Sequence, residues 1–285
     1  MSSSPPSKQN KTQPNHLNLN HFSAQDDLNA SSLLLGQSNR STINELGRRQ
    51  AVALAHALPP ANTYSLVYSS DLDRALDTAA IVVAKSGGVI HRDTRLRERH
   101  FGGRDGELYR AQFKAALFQY GKSQKEGGLE HYAVPPNGES EVDVRRRLAD
   151  FFEHRLLADL KELEDLSNSS NSSSPPSPKA SVLIVAHDYV IRLFTEYLLG
   201  FKGGAQNSED EEKKDGKKPP TPSSPSPSPL PVKNFFGAEV PPASITELVV
   251  SFDGMLKDAF EDGEEAITDV VVVRSGDTAH LGALI

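Results

Sequence analysis

His187 stands at the junction between two strongly patterned segments. The run Val182–Val185 is short, apolar and β-branched, which is typical of a strand buried on both faces. The stretch 188–199 has apolar residues at helical spacing. Ligands bind where parallel strands end, and the free N–H groups at a helix start attract anions. A neutral imidazole at that junction can donate to a phosphate or transfer a proton. The alternative is that His187 is a polar residue that simply ends the strand.

Two further stretches contain residues suited to anion chemistry. Arg74 lies in the first turn of a helix that follows the predicted strand Tyr64–Tyr68, where its guanidinium can present two donors to one anion. Glu98 lies among basic residues before a glycine pair, and a carboxyl there could protonate a leaving oxygen if its pKa were near neutrality. Considered separately, Arg74 could instead be an exposed helical arginine, and Glu98 could be a salt-bridged glutamate on the surface.

The elements that must position these residues alternate between strand and helix patterns. Thr42 and Glu45 have the spacing of a capping box, Ser70 is predicted to cap the helix through Ile81, and Ser140 is predicted to cap a long amphipathic helix. Further strands are predicted at 88–90, 245–252 and 266–274. Such alternation predicts an α/β fold with a mostly parallel sheet between two layers of helices.

Composition narrows the functional class. The chain has 285 residues, no cysteine and a net charge of -7. Thiolate chemistry and disulfides are therefore excluded, and general affinity for nucleic acid is disfavoured. No apolar run approaches the length of a membrane helix, and the N-terminus lacks the pattern of a signal peptide. We therefore expect a cytoplasmic protein that binds neither nucleic acid nor membrane.

Three segments have the composition of disordered chain. They are the tail 1–15 and two insertions, at about 167–180 and at 203–232, which are rich in Ser and Pro or in charge. The insertions separate strongly patterned elements, so we expect one domain over 16–285 interrupted by two surface loops.

Four motifs occur in an order that is similar to that of a known family. They are Ser69-Ser70-Asp71-Leu72-x-Arg74, Leu96-Arg97-Glu98, Pro136-x-Gly138-Glu139-Ser140 and Val185-Ala186-His187. Together they make the chain resemble the histidine phosphatase superfamily, with its phosphoglycerate-mutase-like fold. Within it the chain looks closest to the fructose-bisphosphatase-like and small sugar-phosphatase branch.

The resemblance implies a three-layer α/β/α sandwich and the hydrolysis of small phosphorylated metabolites. In the family a histidine attacks phosphorus, and the phosphohistidine passes its phosphoryl group to water. By resemblance, Arg74, His187 and Asn29 bind phosphate, Glu98 is the general acid, and neither a metal nor another cofactor is required. A phosphorylated metabolite or inorganic phosphate is the expected partner, while the oligomeric state and the choice between phosphatase and mutase stay open.

The first motif of the family is degenerate in this chain. Counted back without a gap from Asn29, the Arg-His-Gly triplet falls on Phe22-Ser23-Ala24, so Ser23 occupies the nucleophile position. The strand before it, 17–21, contains two asparagines, which strands disfavour. His21 would lie too deep for in-line attack unless the register slipped. A hydroxyl nucleophile at Ser23 with His187 as base is the other substitute.

Three interpretations follow from this degenerate motif. The first is a non-catalytic relative, a pseudophosphatase, that still binds phosphate esters. The second is a working phosphatase whose first exon is misread in this sequence. The third is an interaction scaffold whose pocket is a relic. A transcript that encodes Arg-His-Gly upstream of Gln25 would identify the second.

With Ser23 in place, we expect little or no hydrolysis of sugar phosphates or p-nitrophenyl phosphate, because losing a nucleophile removes several powers of ten in rate. The double substitution Phe22→Arg with Ser23→His should restore measurable hydrolysis. Steady-state assays of p-nitrophenyl phosphate on both proteins test this, and no gain in a folded double variant would contradict the assigned register.

Overall fold

The computed structural model describes residues 15–22, 33–40, 42–59, 64–84, 88–123, 128–169, 179–204, 245–252 and 267–284. Its strands are β1 (Asn15–Phe22), β2 (Leu33–Leu34), β3 (Leu66–Ser69), β4 (Ile90–Arg92), β5 (Leu108–Tyr109), β6 (Lys179–Val185), β7 (Ile245–Phe252) and β8 (Ile267–Asp277). Its α-helices are α1 (Glu45–Ala57), α2 (Asp73–Val83), α3 (Arg110–Ser123), α4 (Glu141–Phe151), α5 (Leu157–Ser169) and α6 (Asp188–Gly204). A π-helical turn, Phe152–Leu156, joins α4 to α5.

The main sheet has six strands in the order β4-β3-β6-β1-β7-β8. The first four in that order are mutually parallel, whereas β7 is antiparallel to β1 and β8 is antiparallel to β7. The predicted mostly parallel sheet is therefore confirmed. Because β3, β6 and β1 are parallel neighbours, their carboxyl ends lie at one edge of the sheet.

The apolar run of β6 is buried on both faces, as its sequence predicted. Val182 and Ile184 belong to a core cluster with α4, α5 and α6, while Leu183 and Val185 belong to a second cluster with α1 and α2. Side chains alternate across a strand, so one run supplies both cores. This confirms the three-layer α/β/α sandwich.

The strand β1 occupies a central position despite its asparagines. It pairs in parallel with β6, with Phe22 opposite Val185, and antiparallel with β7. Backbone hydrogen bonds supply this pairing whatever the side chains are, so tertiary context overrides the poor strand composition.

Two predicted helix caps are wrong, and one is confirmed. Asn44, rather than Thr42, is the N-cap of α1, where its Oδ1 accepts from the Gly47 N–H at 2.8 Å. The N-cap position of α2 is Leu72, which makes no side-chain cap bond, while the Ser70 hydroxyl lies two residues earlier and accepts from the Leu72 N–H at 3.3 Å. Ser140 caps α4 in a capping box completed by Asp143.

The segment between β4 and α4 packs separately from the sheet. Phe101, Leu108, Phe113, Leu117 and Val134 form its own apolar cluster. Gly102 has a positive φ of 64°, and a Cβ there would lie 2.1 Å from the Pro136 carbonyl oxygen. The loop after Glu98 therefore approaches the motif that begins at Pro136 so closely at Gly102 that only glycine fits there.

The predicted insertions fall mainly on positions outside the described residues, namely 170–178 and 205–244, as does the tail 1–14. The described chain continues through Ser169 in α5 and resumes at Lys179 in β6. Within the described ranges, no helix combines the length and the apolar character that crossing a bilayer requires.

Replacing Ser140 by alanine should lower the free energy of unfolding by about 1 kcal/mol, because the capping box loses the bond to the Asp143 N–H. Urea denaturation measures the change. The matched control is Ser123→Ala, since among the described residues the Ser123 hydroxyl bonds only to the Tyr120 carbonyl, in an exposed part of α3. Equal losses in the two variants would contradict the capping role.

Candidate functional site

His187 lies between the end of β6 and the start of α6, as predicted. The adjacent end of β3 brings Ser70 beside it, because the Ser70 N–H donates to the Val185 carbonyl at 2.9 Å. The His187 Nε2 atom is 2.9 Å from the Ser70 hydroxyl, and the His187 side chain is only 5% exposed. The imidazole is therefore fixed by a neighbouring strand rather than free at the strand end.

The surroundings of His187 favour its neutral form. Burial lowers the pKa of His187 well below its usual 6.5, and the nearby positive charges of Arg74 and Arg147 lower this pKa further. The ring thus stays neutral at physiological pH, and it retains one N–H donor and one acceptor nitrogen.

Arg74 is not the exposed helical arginine of the alternative interpretation. It lies in the first turn of α2 and is 5% exposed. Its Nη2 donates to the Gly36 carbonyl at 2.8 Å and its Nη1 to the Ser38 carbonyl at 2.9 Å. The guanidinium therefore joins the loop after β2 to the carboxyl end of β3.

Glu98 is held at three points. Its Oε1 accepts from the Arg99 N–H at 2.6 Å, and its carbonyl accepts from Gln37 Nε2 at 3.1 Å and from Arg147 Nη2 at 3.2 Å. The alternative of a salt-bridged surface glutamate is not supported, since Glu98 forms no ion pair with any described residue.

The electrostatic environment of Glu98 favours the protonated acid. Burial, and after it the negative charge of Asp188, raise the pKa of Glu98, which lies at about 8. The Arg99 N–H and the charges of Arg74 and Arg147 oppose the rise only in part. A carboxyl that keeps its proton at neutral pH is able to give it to a leaving group.

The structure brings Arg74, Glu98 and His187 into one electrostatic environment. The charges of Arg74 and Arg147 act on the pKa of both Glu98 and His187. Asp188, which is the first residue of α6, belongs to the same group because its negative charge acts on the pKa of Glu98.

Two predicted site residues, Ser23 and Asn29, lie outside the described residues. The described chain before them ends at Phe22, whose partner Val185 lies two residues before His187. His21 pairs with Ile184, one step further from that edge of the sheet.

Several residues of this region were not predicted to have a role in it. Ser70 was assigned to a helix cap, although its position at a strand end was a usable signal. Gln37, Arg147 and Asp188 had no local pattern, since their proximity to Glu98 or His187 depends on packing between distant segments. Glu139 belongs to a recognised motif, but its partners could not be deduced from sequence.

Comparison with known proteins gives concordant matches. The family model of the histidine phosphatase superfamily (branch 1) matches residues 24–208. A glucosyl-3-phosphoglycerate phosphatase from Mycobacterium tuberculosis is 41% identical over 123 residues, which cover 43% of this chain and 52% of that protein. The fructose-2,6-bisphosphatase TIGAR from Xenopus tropicalis is 32% identical over 139 residues, which cover 47% of each chain. The chain thus spans about half the length of these relatives.

A solved structure extends the match over nearly the whole fold. The complex of a mycobacterial glucosyl-3-phosphoglycerate phosphatase with inorganic phosphate has a TM-score of 0.57 and 26% identity, covering 93% of this chain and 99% of that one.

The pKa of Glu98 predicts a pH dependence of stability. Unfolded chain binds this proton with an ordinary pKa near 4.5 and folded chain with one of about 8, so the folded state binds more protons between these values. Stability contributed by the protonated acid is therefore lost as pH rises from about 5 to about 8. Over this range the wild-type protein should lose more unfolding free energy than Glu98→Gln, as measured by urea denaturation. The exposed Glu107→Gln should behave like wild type, and identical pH profiles for Glu98→Gln and wild type would contradict the shifted pKa.

Proposed function

The chain belongs to branch 1 of the histidine phosphatase superfamily, and from this premise we propose that it binds small phosphorylated sugars through Arg74, Asn29 and His187, with Glu98 as the general acid. The family resemblance of its four motifs is confirmed by the match over residues 24–208. Both relatives named above are phosphatases of phosphorylated sugars or their derivatives, which favours that substrate class over a nucleic acid or a membrane surface. The proposed compartment is the cytoplasm.

The observation that supports this proposal is the combination of a neutral His187, a buried Arg74 and a protonated Glu98. A phosphate monoester carries two or fewer negative charges and several acceptor oxygens. The guanidinium of Arg74 and the N–H of His187 supply donors for those oxygens. The Glu98 carboxyl, with its proton retained, repels the ester less than a carboxylate would and supplies an acid for the leaving oxygen.

The missing component is the attacking histidine. In the proposed register the nucleophile position is Ser23 and the preceding donor position is Phe22, so the chain lacks both an imidazole and a cation there. We therefore propose phosphate-ester binding with impaired hydrolysis. Arg74 and His187 can donate to phosphate oxygens without the missing nucleophile, whereas cleavage of the ester bond by the family's mechanism depends on it.

The alternative function is that of a catalytically inactive pseudophosphatase that binds phosphate esters, or that of an interaction scaffold. The pseudophosphatase and the scaffold differ in one property. A pseudophosphatase that senses phosphate esters retains the anion site, whereas a scaffold with a relic pocket does not need it.

Inorganic phosphate, vanadate and a sugar bisphosphate should each raise the melting temperature of the wild-type protein, because a ligand that binds only the folded state stabilises it. Differential scanning fluorimetry at graded ligand concentrations measures the shift. His187→Gln and Arg74→Ala should each abolish it.

The matched control is Arg146→Ala, since Arg146 is an exposed arginine of α4 whose one ion pair within the described part of the chain is with Asp143. This variant should retain the full ligand-induced shift. No shift in the wild-type protein would favour the scaffold, and a robust hydrolysis rate that survives His187→Ala would contradict the assigned site.

A further inference from the structure

The carboxylate of Glu139 is the common partner of three segments that meet behind Glu98. Its Oε1 accepts from Arg147 Nε at 2.8 Å, and its Oε2 accepts from Arg147 Nη2 at 3.1 Å and from the His100 N–H at 2.9 Å. Gln37 Nε2 lies 3.5 Å from the same Oε2 atom. The side chain therefore links the loop after β2, the loop that follows Glu98, and α4.

The main chain of Glu139 adds two further bonds to the same loop. Its N–H donates to the His100 carbonyl at 2.8 Å, and its carbonyl accepts from Arg99 Nε at 2.9 Å. The two residues after Glu98 are thus bonded to Glu139 through both backbone and side chain.

The two donors that hold the Glu98 carbonyl are both partners of Glu139. Gln37 Nε2 and Arg147 Nη2 each donate to that carbonyl, and each also contacts the Glu139 carboxylate. A bidentate carboxylate–guanidinium pair fixes orientation as well as distance. The Glu139–Arg147 pair is mostly buried, with side-chain exposures of 22% and 15%, so it is weakly screened by solvent.

We propose that Glu139 is a positioning residue for Glu98: its carboxylate orients Arg147 and Gln37, which in turn hold the Glu98 backbone against the anion site. This role rests on the proposed function, in which Glu98 is the acid, but it is defined by contacts that exist without ligand.

Glu139 also balances a charge that acts on the site. The positive charge of Arg147 lowers the pKa of Glu98, as does that of Arg74 on α2, while the negative charge of Asp188 on α6 raises it. Replacing the Glu139 carboxylate by an amide leaves Arg147 less compensated and loosens the burial of Glu98. Both effects act in one direction, toward a lower pKa for Glu98.

The test is Glu139→Gln, with the titration midpoint of the Glu98 side-chain carboxyl as the readout. Carbon-detected NMR, with the signal assigned by its loss in Glu98→Gln, should give a midpoint of about 8 in wild type and a value lower by about one pH unit in the variant. The phosphate-induced rise in melting temperature should persist, because Arg74 and His187 are unchanged. An unaltered or raised midpoint in the folded variant would overturn the proposal.

The matched control is Glu141→Gln. Glu141 is a buried glutamate paired with an arginine of α4, but this arginine, Arg145, bonds to Glu196. Glu141 contacts the Glu98 loop through the Tyr189 hydroxyl, which accepts from Arg99, and not through a donor to the Glu98 carbonyl. Glu141→Gln should lower the free energy of unfolding without changing the titration midpoint of Glu98. If this midpoint moved as far in Glu141→Gln as in Glu139→Gln, the effect would not be specific to Glu139, and the proposal would be overturned.

If Glu139→Gln does not fold, Gln37→Leu removes one donor to the Glu98 carbonyl without changing any charge. The Glu98 midpoint should then fall by a smaller amount, and an unchanged midpoint would overturn the proposal. Failure of the proposed function is separate, since it appears as the absence of any phosphate-induced shift in the wild-type protein.

Discussion

The parallel pairing of β6 with β3 on one side and with β1 on the other is the constraint on which the site depends. It places the carboxyl ends of three strands, which are distant in sequence, at one edge of the sheet. His187 follows one of these ends, Ser70 follows another, and the 2.9 Å contact between them fixes the imidazole. The apolar run of β6 is buried on both faces, so this registry is strongly specified by the two cores.

Burial then decides the chemical state of the groups collected there. A desolvated imidazole loses its charge and a desolvated carboxyl keeps its proton, which explains why the pKa of His187 falls while that of Glu98 rises. The guanidinium groups of Arg74 and Arg147 donate to carbonyl or carboxylate oxygens, which hold them beside these two residues. The result is a group in which the charges of two arginines act on a neutral imidazole and a neutral acid.

The fold does not depend on the side chains of the first motif. The match over residues 24–208 shows the family, and the two apolar cores hold the sandwich together. Backbone hydrogen bonds pair β1 with its neighbours, so this pairing does not require particular side chains in that strand. In the proposed register Ser23 stands at the nucleophile position, and the family fold is compatible with that substitution.

The sequence by itself determined the alternation of elements, the buried run of β6 and the strand-to-helix junctions that contain Arg74 and His187. These features are local, because hydrophobic periodicity and the residues that begin or end a helix can be identified within short stretches of sequence. Only the tertiary structure decided that Asn44 rather than Thr42 caps α1, that the Ser70 hydroxyl faces His187, and that Glu139 and Arg147 support Glu98. These contacts join residues that are far apart in the sequence. A pattern in neighbouring residues therefore cannot show which donor and acceptor groups meet.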